Sequence, residues 1–131
     1  MNRELARAIW ERANGRCEYC GASQFGFPVP FQIDHIIAEK HGGETLESNL
    51  ALACPHCNLY KGPNIAGRDV GSSQIVRLFH PRADKWHDHF AFEGPRIMGL
   101  TEIGRVTVQV LAMNAKDMLS LRAELLQERI D

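Results

Sequence analysis

The chain holds 131 residues, 44% of them hydrophobic, with a net charge of −1, which favours one core-forming domain, with or without a helical extension. Near-balanced charge in both halves excludes a globally basic nucleic-acid binder and leaves any DNA contact to a local patch. No apolar run is long enough to cross a bilayer, and Met1-Asn2-Arg3-Glu4 lacks the apolar stretch of a signal peptide, so a cytoplasmic protein without membrane contact is expected.

Leu5, Ala6, Ile9, Trp10 and Ala13 recur at helical spacing opposite Arg3, Arg7, Glu11 and Arg12. This predicts a helix over about Arg3 to Ala13 with Trp10 in the core. Asn14-Gly15 should close it, because both residues tolerate the left-handed backbone. Cys17 to Gly21 reads as a tight knuckle. After Pro28 and Pro30, Phe31 and Ile33 alternate with Gln32 and Asp34, which predicts a short strand over Phe31 to His35. A loop through Gly42-Gly43 and Ser48-Asn49 leads to the apolar run Leu50 to Ala53, suited to a second strand. Pro55 has the backbone angle favoured at a helix start, so a short helix should run to about Lys61 and stop at Gly62-Pro63.

The Gly- and Ser-rich stretch from Gly62 to Ser73 reads as a loop, after which Ile75 to Phe79 leads into His80-Pro81-Arg82. Trp86 to Phe92 and Arg96 to Met98 are predicted as a strand pair around Glu93-Gly94-Pro95. Thr101 can cap a helix reaching about Met113 on the stripe Ile103, Val106, Val110 and Leu111; Val106, Val108 and Val110 also alternate, so a strand stays open there. Asn114 with Asp117 resembles a capping pair before a final helix with the stripe Met118, Leu121 and Leu125. The expected organisation is a core over residues 1–75 and an extension over 76–131 packed on it.

Two Cys-x-x-Cys pairs, Cys17/Cys20 and Cys54/Cys57, stand out. In a cytosolic chain, close pairs of this kind favour a metal over disulfides. Two intervening residues let both thiolates of a knuckle reach one ion at about 2.3 Å, and two knuckles complete a tetrahedron suited to zinc. A redox role for the same thiols would require rapid exchange and no bound zinc. His56, between two ligand cysteines, should point away.

Between the pairs lie Asp34-His35 and Asn49, and Asn58 follows the last cysteine. A carboxylate and an amide oxygen are hard ligands that suit Mg²⁺ or Mn²⁺ and leave room for water and phosphate. An imidazole, with an ordinary pKa of about 6.5, can take a proton from water near neutral pH. Lys61 lies one turn from Asn58 and could touch the same phosphate. Taken singly, Asp34-His35 is an ordinary pair, Asn49 a turn residue and Lys61 a solvated lysine; their order between the cysteines is what points to chemistry.

That order is Cys-x-x-Cys, Asp-His-Ile-Ile, Gly-Gly, Asn-Leu, Cys-Pro-x-Cys-Asn, then Lys-Gly. Over about residues 15–62 it resembles the zinc-containing HNH endonucleases. The resemblance implies an α+β fold with a zinc-stapled ββα-metal core. It implies that His35 is the general base, that Asp34 and Asn58 bind the catalytic divalent metal, and that Asn49 braces the loop and orients the base. It also implies a structural zinc on Cys17, Cys20, Cys54 and Cys57. Asn58 stands where the family name has its last histidine, and Ala38 stands where a proline often follows.

The tail, with Leu-Phe-His-Pro-Arg and Trp-His-Asp-His-Phe, resembles that of some small bacterial, notably cyanobacterial, HNH proteins. Lys61, Arg77, Arg82, Lys85 and Arg96 are candidate DNA contacts interleaved with Trp86 and Phe90; the opposing reading places the aromatics in the core and the charges in solvent. His80, His87 and His89 are weaker metal candidates. The expected activity is metal-dependent cleavage or nicking of double-stranded DNA. The alternative is a catalytically silent zinc module that binds DNA or protein. The two tail helices either pack on the core or form a homodimer seam.

Overall fold

Asn2 opens the first helix, its Oδ1 accepting from the Leu5 N–H at 2.7 Å, in a computed structural model that describes residues 1–130. The helix α1 spans Arg3–Ala13 and ends at Asn14, which adopts the left-handed backbone with φ 54°. Ile9 on its apolar face is fully buried, and Leu5, Trp10 and Ala13 pack against the same core. Strands β1 (Gln32–His35) and β2 (Leu50–Ala53) pair antiparallel, with Asp34 opposite Ala51 and His35 opposite Leu50. Every residue of β2 is buried, as an apolar strand requires when α1 and the next helix both pack against it. That helix, α2 (Pro55–Lys61), starts with Pro55 in its first turn and ends at Gly62. The chain therefore contains the ββα unit expected from its motifs and is an α+β fold.

The loop between β1 and β2 turns on Ala38, whose φ of −59° and ψ of 149° are those of a proline. Its carbonyl carries the local hydrogen bonds, accepting from His41 N at 2.9 Å and Gly43 N at 3.1 Å. Ala38→Pro should therefore stabilise the protein by ~0.4–1 kcal/mol, chiefly by restricting the unfolded chain. Urea unfolding checks this, and a lower midpoint in the variant would show that the site does not accept the ring.

The second half departs from several expectations. The stretch read as a loop contains β3 (Ala66–Arg68), paired antiparallel with β4 (Ile75–Arg77). Its composition is poor for a strand, but a Cβ on Gly67 would lie 2.7 Å from Val110. Both strands of this pair pack on the helix that contains Val110. Trp86–His89 is a helical turn, α3, and the strand pair is β5 (Phe90–Glu93) with β6 (Arg96–Gly99). The turn brings Trp86 against Phe90, with ring centroids 5.0 Å apart, and lets the indole N–H donate to Tyr19 O at 2.7 Å.

Thr101 caps α4 (Glu102–Val110), its hydroxyl accepting from Gly104 N at 3.0 Å, so the strand reading of Val106 to Val110 falls. The helix stops short of Met113, and Ala112 turns left-handed at φ 47°. Asn114 is not a cap: its amide accepts from Ile97 N and donates to Ile97 O, each at 2.8 Å, and so clamps β6. The last helix, α5, spans Lys116–Ile130. A Cβ on Gly26 would lie 3.4 Å from Leu121 and 3.7 Å from Leu125, so α5 lies over the 3₁₀ turn Gln24–Gly26. One apolar cluster runs from Ile9, Tyr19 and Leu52 to Phe79, Ile97, Leu111 and Met118, joining the ββα unit to the elements after it.

Candidate metal centre and active site

The two cysteine knuckles meet at one point. The Sγ atoms of Cys17, Cys20, Cys54 and Cys57 all lie within 4.8 Å of one another. A tetrahedron with metal–sulfur bonds of about 2.3 Å has sulfur–sulfur edges of about 3.8 Å, and Cys20 Sγ lies 3.9 Å from Cys54 Sγ. All four thiols are buried and unpaired. The knuckles repeat one backbone pattern: Cys20 N donates to Cys17 Sγ at 3.5 Å, and Cys57 N to Cys54 Sγ at 3.3 Å. His56 points away, with Nε2 2.8 Å from Ala112 O. The sulfur set fits a tetrahedral zinc.

Above the first knuckle sits a buried polar network. Tyr19, between Cys17 and Cys20, donates its hydroxyl to Asp34 Oδ2 at 2.8 Å. Lys61 Nζ pairs with the same oxygen at 3.0 Å and donates to His35 O at 3.1 Å. Asp34 is 7% exposed and Lys61 only 1%. Burial pushes the Asp34 carboxyl up from its ordinary range, against the pull of the Lys61 charge and the Tyr19 hydrogen bond. Both contacts fall on Oδ2, and Oδ1 has no protein partner among the described residues.

Gln32 and Asp34 are two apart on β1 and project from one face. Asn58 Nδ2 donates to Gln32 Oε1, so α2 sets the Asn58 amide beside Gln32, two residues before Asp34 on β1. The His35 ring, at the end of β1, lies against the following loop, with its Nε2 2.9 Å from Thr45 Oγ1 and 3.9 Å from Glu39 Oε1. Asn49 accepts from Ile37 N at 2.9 Å and donates to Ile37 O at 3.0 Å and Glu44 O at 2.9 Å. These bonds close the loop that carries Thr45. A Cβ on Gly43 would lie 1.7 Å from Ile37 O, so only glycine fits that closure. Asn49 thus meets His35 only through the loop.

The candidate DNA contacts divide. Lys61 is corrected as a DNA contact: it is buried under the site, with its Nζ 3.0 Å from Asp34 Oδ2. Arg82 is also corrected. Its guanidinium pairs with Glu18 of the first knuckle, and its side chain is 18% exposed. Glu18 in turn accepts from Leu52 N at 2.8 Å, so the pair ties the second half to β2. Arg77 is half exposed, but its two terminal nitrogens grip Asp84 at 2.7 and 2.9 Å. Lys85 and Arg96 are exposed. Among the described residues the tail histidines form no metal-ligand cluster; His80 Nδ1 accepts from Arg82 N and Ala83 N, and His89 Nδ1 faces Thr101 Oγ1.

The Arg77 grip, opposed by burial and helped by the His80 N–H, holds the Asp84 carboxyl down at about 2. A carboxylate lowered on folding stabilises above its unfolded value of about 3.9, and the gain fades as pH falls towards the folded value. Asp84→Asn should cost ~1–2 kcal/mol at pH 7, a figure trimmed for the half-exposed arginine. The gap to wild type should narrow between about pH 4 and about pH 2. Denaturant unfolding at several pH values checks this; a gap that does not change would place the cost elsewhere.

Tyr19, Gln32 and Thr45 are the side chains that the sequence reading passed over. Gln32 carried a signal, since it stands two residues before Asp34 on a predicted strand. Tyr19 and Thr45 carried none without the fold.

A ββα unit carrying four converging cysteines, with an Asp-His on its first strand and an Asn on its helix, defines a metal-knuckle module. Residues 17–64 match the family model described as HNH endonuclease, and the matched segment contains four cysteines placed to bind a metal. Such a match supports a nuclease-type or nucleic-acid-interacting function. No curated protein matches the chain. No helix among the described residues is long and apolar enough to cross a membrane.

Proposed function

We propose that the protein is a metal-dependent DNA endonuclease or nickase with a structural zinc on Cys17, Cys20, Cys54 and Cys57. Two hard oxygens support this reading: Asp34 Oδ1 on β1 and Asn58 Oδ1 on α2, neither with a hydrogen-bond partner among the described residues, with His35 next in sequence to Asp34. Together they can hold Mg²⁺ or Mn²⁺ with space for water and a phosphodiester. When bound, that cation would offset the charge growing on the phosphoryl and leaving oxygens. In the tautomer that donates its Nε2 hydrogen to Thr45 Oγ1, the free lone pair of His35 is on Nδ1. Nδ1 takes the proton of the attacking water as its oxygen bonds to phosphorus, and the ester P–O bond breaks so that the leaving sugar oxygen departs and takes a proton from solvent. Asn49 and Gly43 keep the loop closed and so keep Thr45 against the imidazole. Tyr19 and Lys61 hold the carboxylate in place.

One observation favours a second reading, a silent module that binds nucleic acid or protein. The Lys61 ammonium, 3.0 Å from Asp34, already balances the carboxylate that would attract the cation. Incubation of supercoiled plasmid with the protein in Mg²⁺ or Mn²⁺ separates the two. The nuclease reading expects open-circular or linear product that a chelator abolishes; intact plasmid across the metal series supports the silent module.

A further inference from the structure

Four thiolates around one Zn²⁺ leave two units of negative charge in a buried site. A buried charge of this kind needs an opposite charge or hydrogen-bond donors nearby. Arg122 on α5 is 6% exposed, and with Cys20, Gly21 and Ala22 it lines a recess of about 450 Å³. Its Nε donates to Pro95 O at 2.6 Å, and its Nη2 donates to Met113 O and, at 3.2 Å, to Asn114 Oδ1. Those bonds fix the guanidinium plane. Nη1 remains, buried and without a hydrogen-bond partner among the described residues. An unpaired buried donor carries a desolvation cost that native structures rarely leave in place.

We propose that Arg122 is the counter-cation of the four-cysteine centre, with Nη1 as its donor toward the thiolates, so that α5 docking and metal binding support each other. This rests on the zinc reading of the cysteines and is independent of nuclease activity. Burial pulls the Arg122 pKa down, and the charges of Cys20, Cys57 and Cys54 push it back up, as neighbours of opposite sign do. The clamp also reaches Pro95 and Met113, at the two ends of the segment running through β6 and α4, so loss of the metal would loosen this half as well. Outer partners of metal ligands are worth about 10–100-fold in affinity.

The test titrates Zn²⁺ into metal-stripped, denatured chain and reads the concentration at which half the chain refolds, with Co²⁺ absorbance as a spectroscopic check on the sulfur ligands. Arg122→Lys and Arg122→Gln both lose the forked clamp and differ in charge. The glutamine variant should need about 10–100-fold more Zn²⁺ than wild type, and the lysine variant should recover most of that. A glutamine variant that never refolds while the lysine variant does points the same way. Equal requirements for the two variants, or failure of both, would overturn the proposal. Absence of metal binding by wild type would remove the zinc reading itself and this inference with it.

Discussion

His35→Ala should slow plasmid nicking in Mg²⁺ or Mn²⁺ by ~10²–10⁴-fold, the usual worth of a positioned general base. The ring sits at the end of β1, partly exposed, with Nε2 on Thr45 Oγ1 at 2.9 Å. Its removal leaves the four cysteines, the Tyr19–Asp34–Lys61 network and the buried strand β2 untouched. The unfolding midpoint should therefore move little while the rate collapses. This contrast separates a base from a structural residue, because a structural role would move both. Equal cleavage by wild type and variant would remove His35 from the mechanism. A small rate loss with a large midpoint shift would instead make it a brace for the loop.

The elements around the site were legible because local and tertiary preferences agree there. Asn14 allows a left-handed end where α1 must stop, Pro55 suits the start of α2, and Leu50 to Ala53 is apolar throughout where β2 is covered throughout. After Gly62 they part. Gly67 lies in a strand packed so close to α4 that a Cβ there would sit 2.7 Å from Val110, and Asn114 bonds Ile97 instead of capping its own helix. Trp86 occupies a helical turn because its indole must reach Tyr19 O and Phe90 together.

Within the site, spacing marked the four cysteines as one metal centre, while the roles of Asp34, His35, Asn49 and Asn58 came from the resemblance of their order to the HNH family. The direction in which Lys61 points came from neither. A lysine one turn after a presumed ligand reads as a surface phosphate contact, since lysine is rarely buried without a partner. Here the partner is Asp34, which lies 27 residues earlier in the chain and faces Lys61 only after β1 and α2 have packed. The same holds for Arg82, which the fold delivers to Glu18.

Cys57→Ser, or stripping the metal with a chelator, should have the largest effect on the fold. Structural zinc in four-ligand sites contributes on the order of 10 kcal/mol, comparable to the whole stability of a domain, about 5–15 kcal/mol. The cooperative unfolding transition should disappear on stripping, and Zn²⁺, not Mg²⁺, should restore it. The chemistry should follow the fold for a specific reason. Tyr19 lies within the first knuckle and holds Asp34 at 2.8 Å, while Asn58 directly follows Cys57 at the second. Both proposed ligands of the catalytic cation are thus positioned by the knuckles and not by the ββα backbone alone. Nicking should fall in proportion to zinc lost even when Mg²⁺ is in excess, and Tyr19→Phe should lower it without releasing zinc. A stripped chain that still unfolds cooperatively would remove the metal from the folding argument. Full activity in the Tyr19→Phe variant would break the link between the knuckle and the carboxylate.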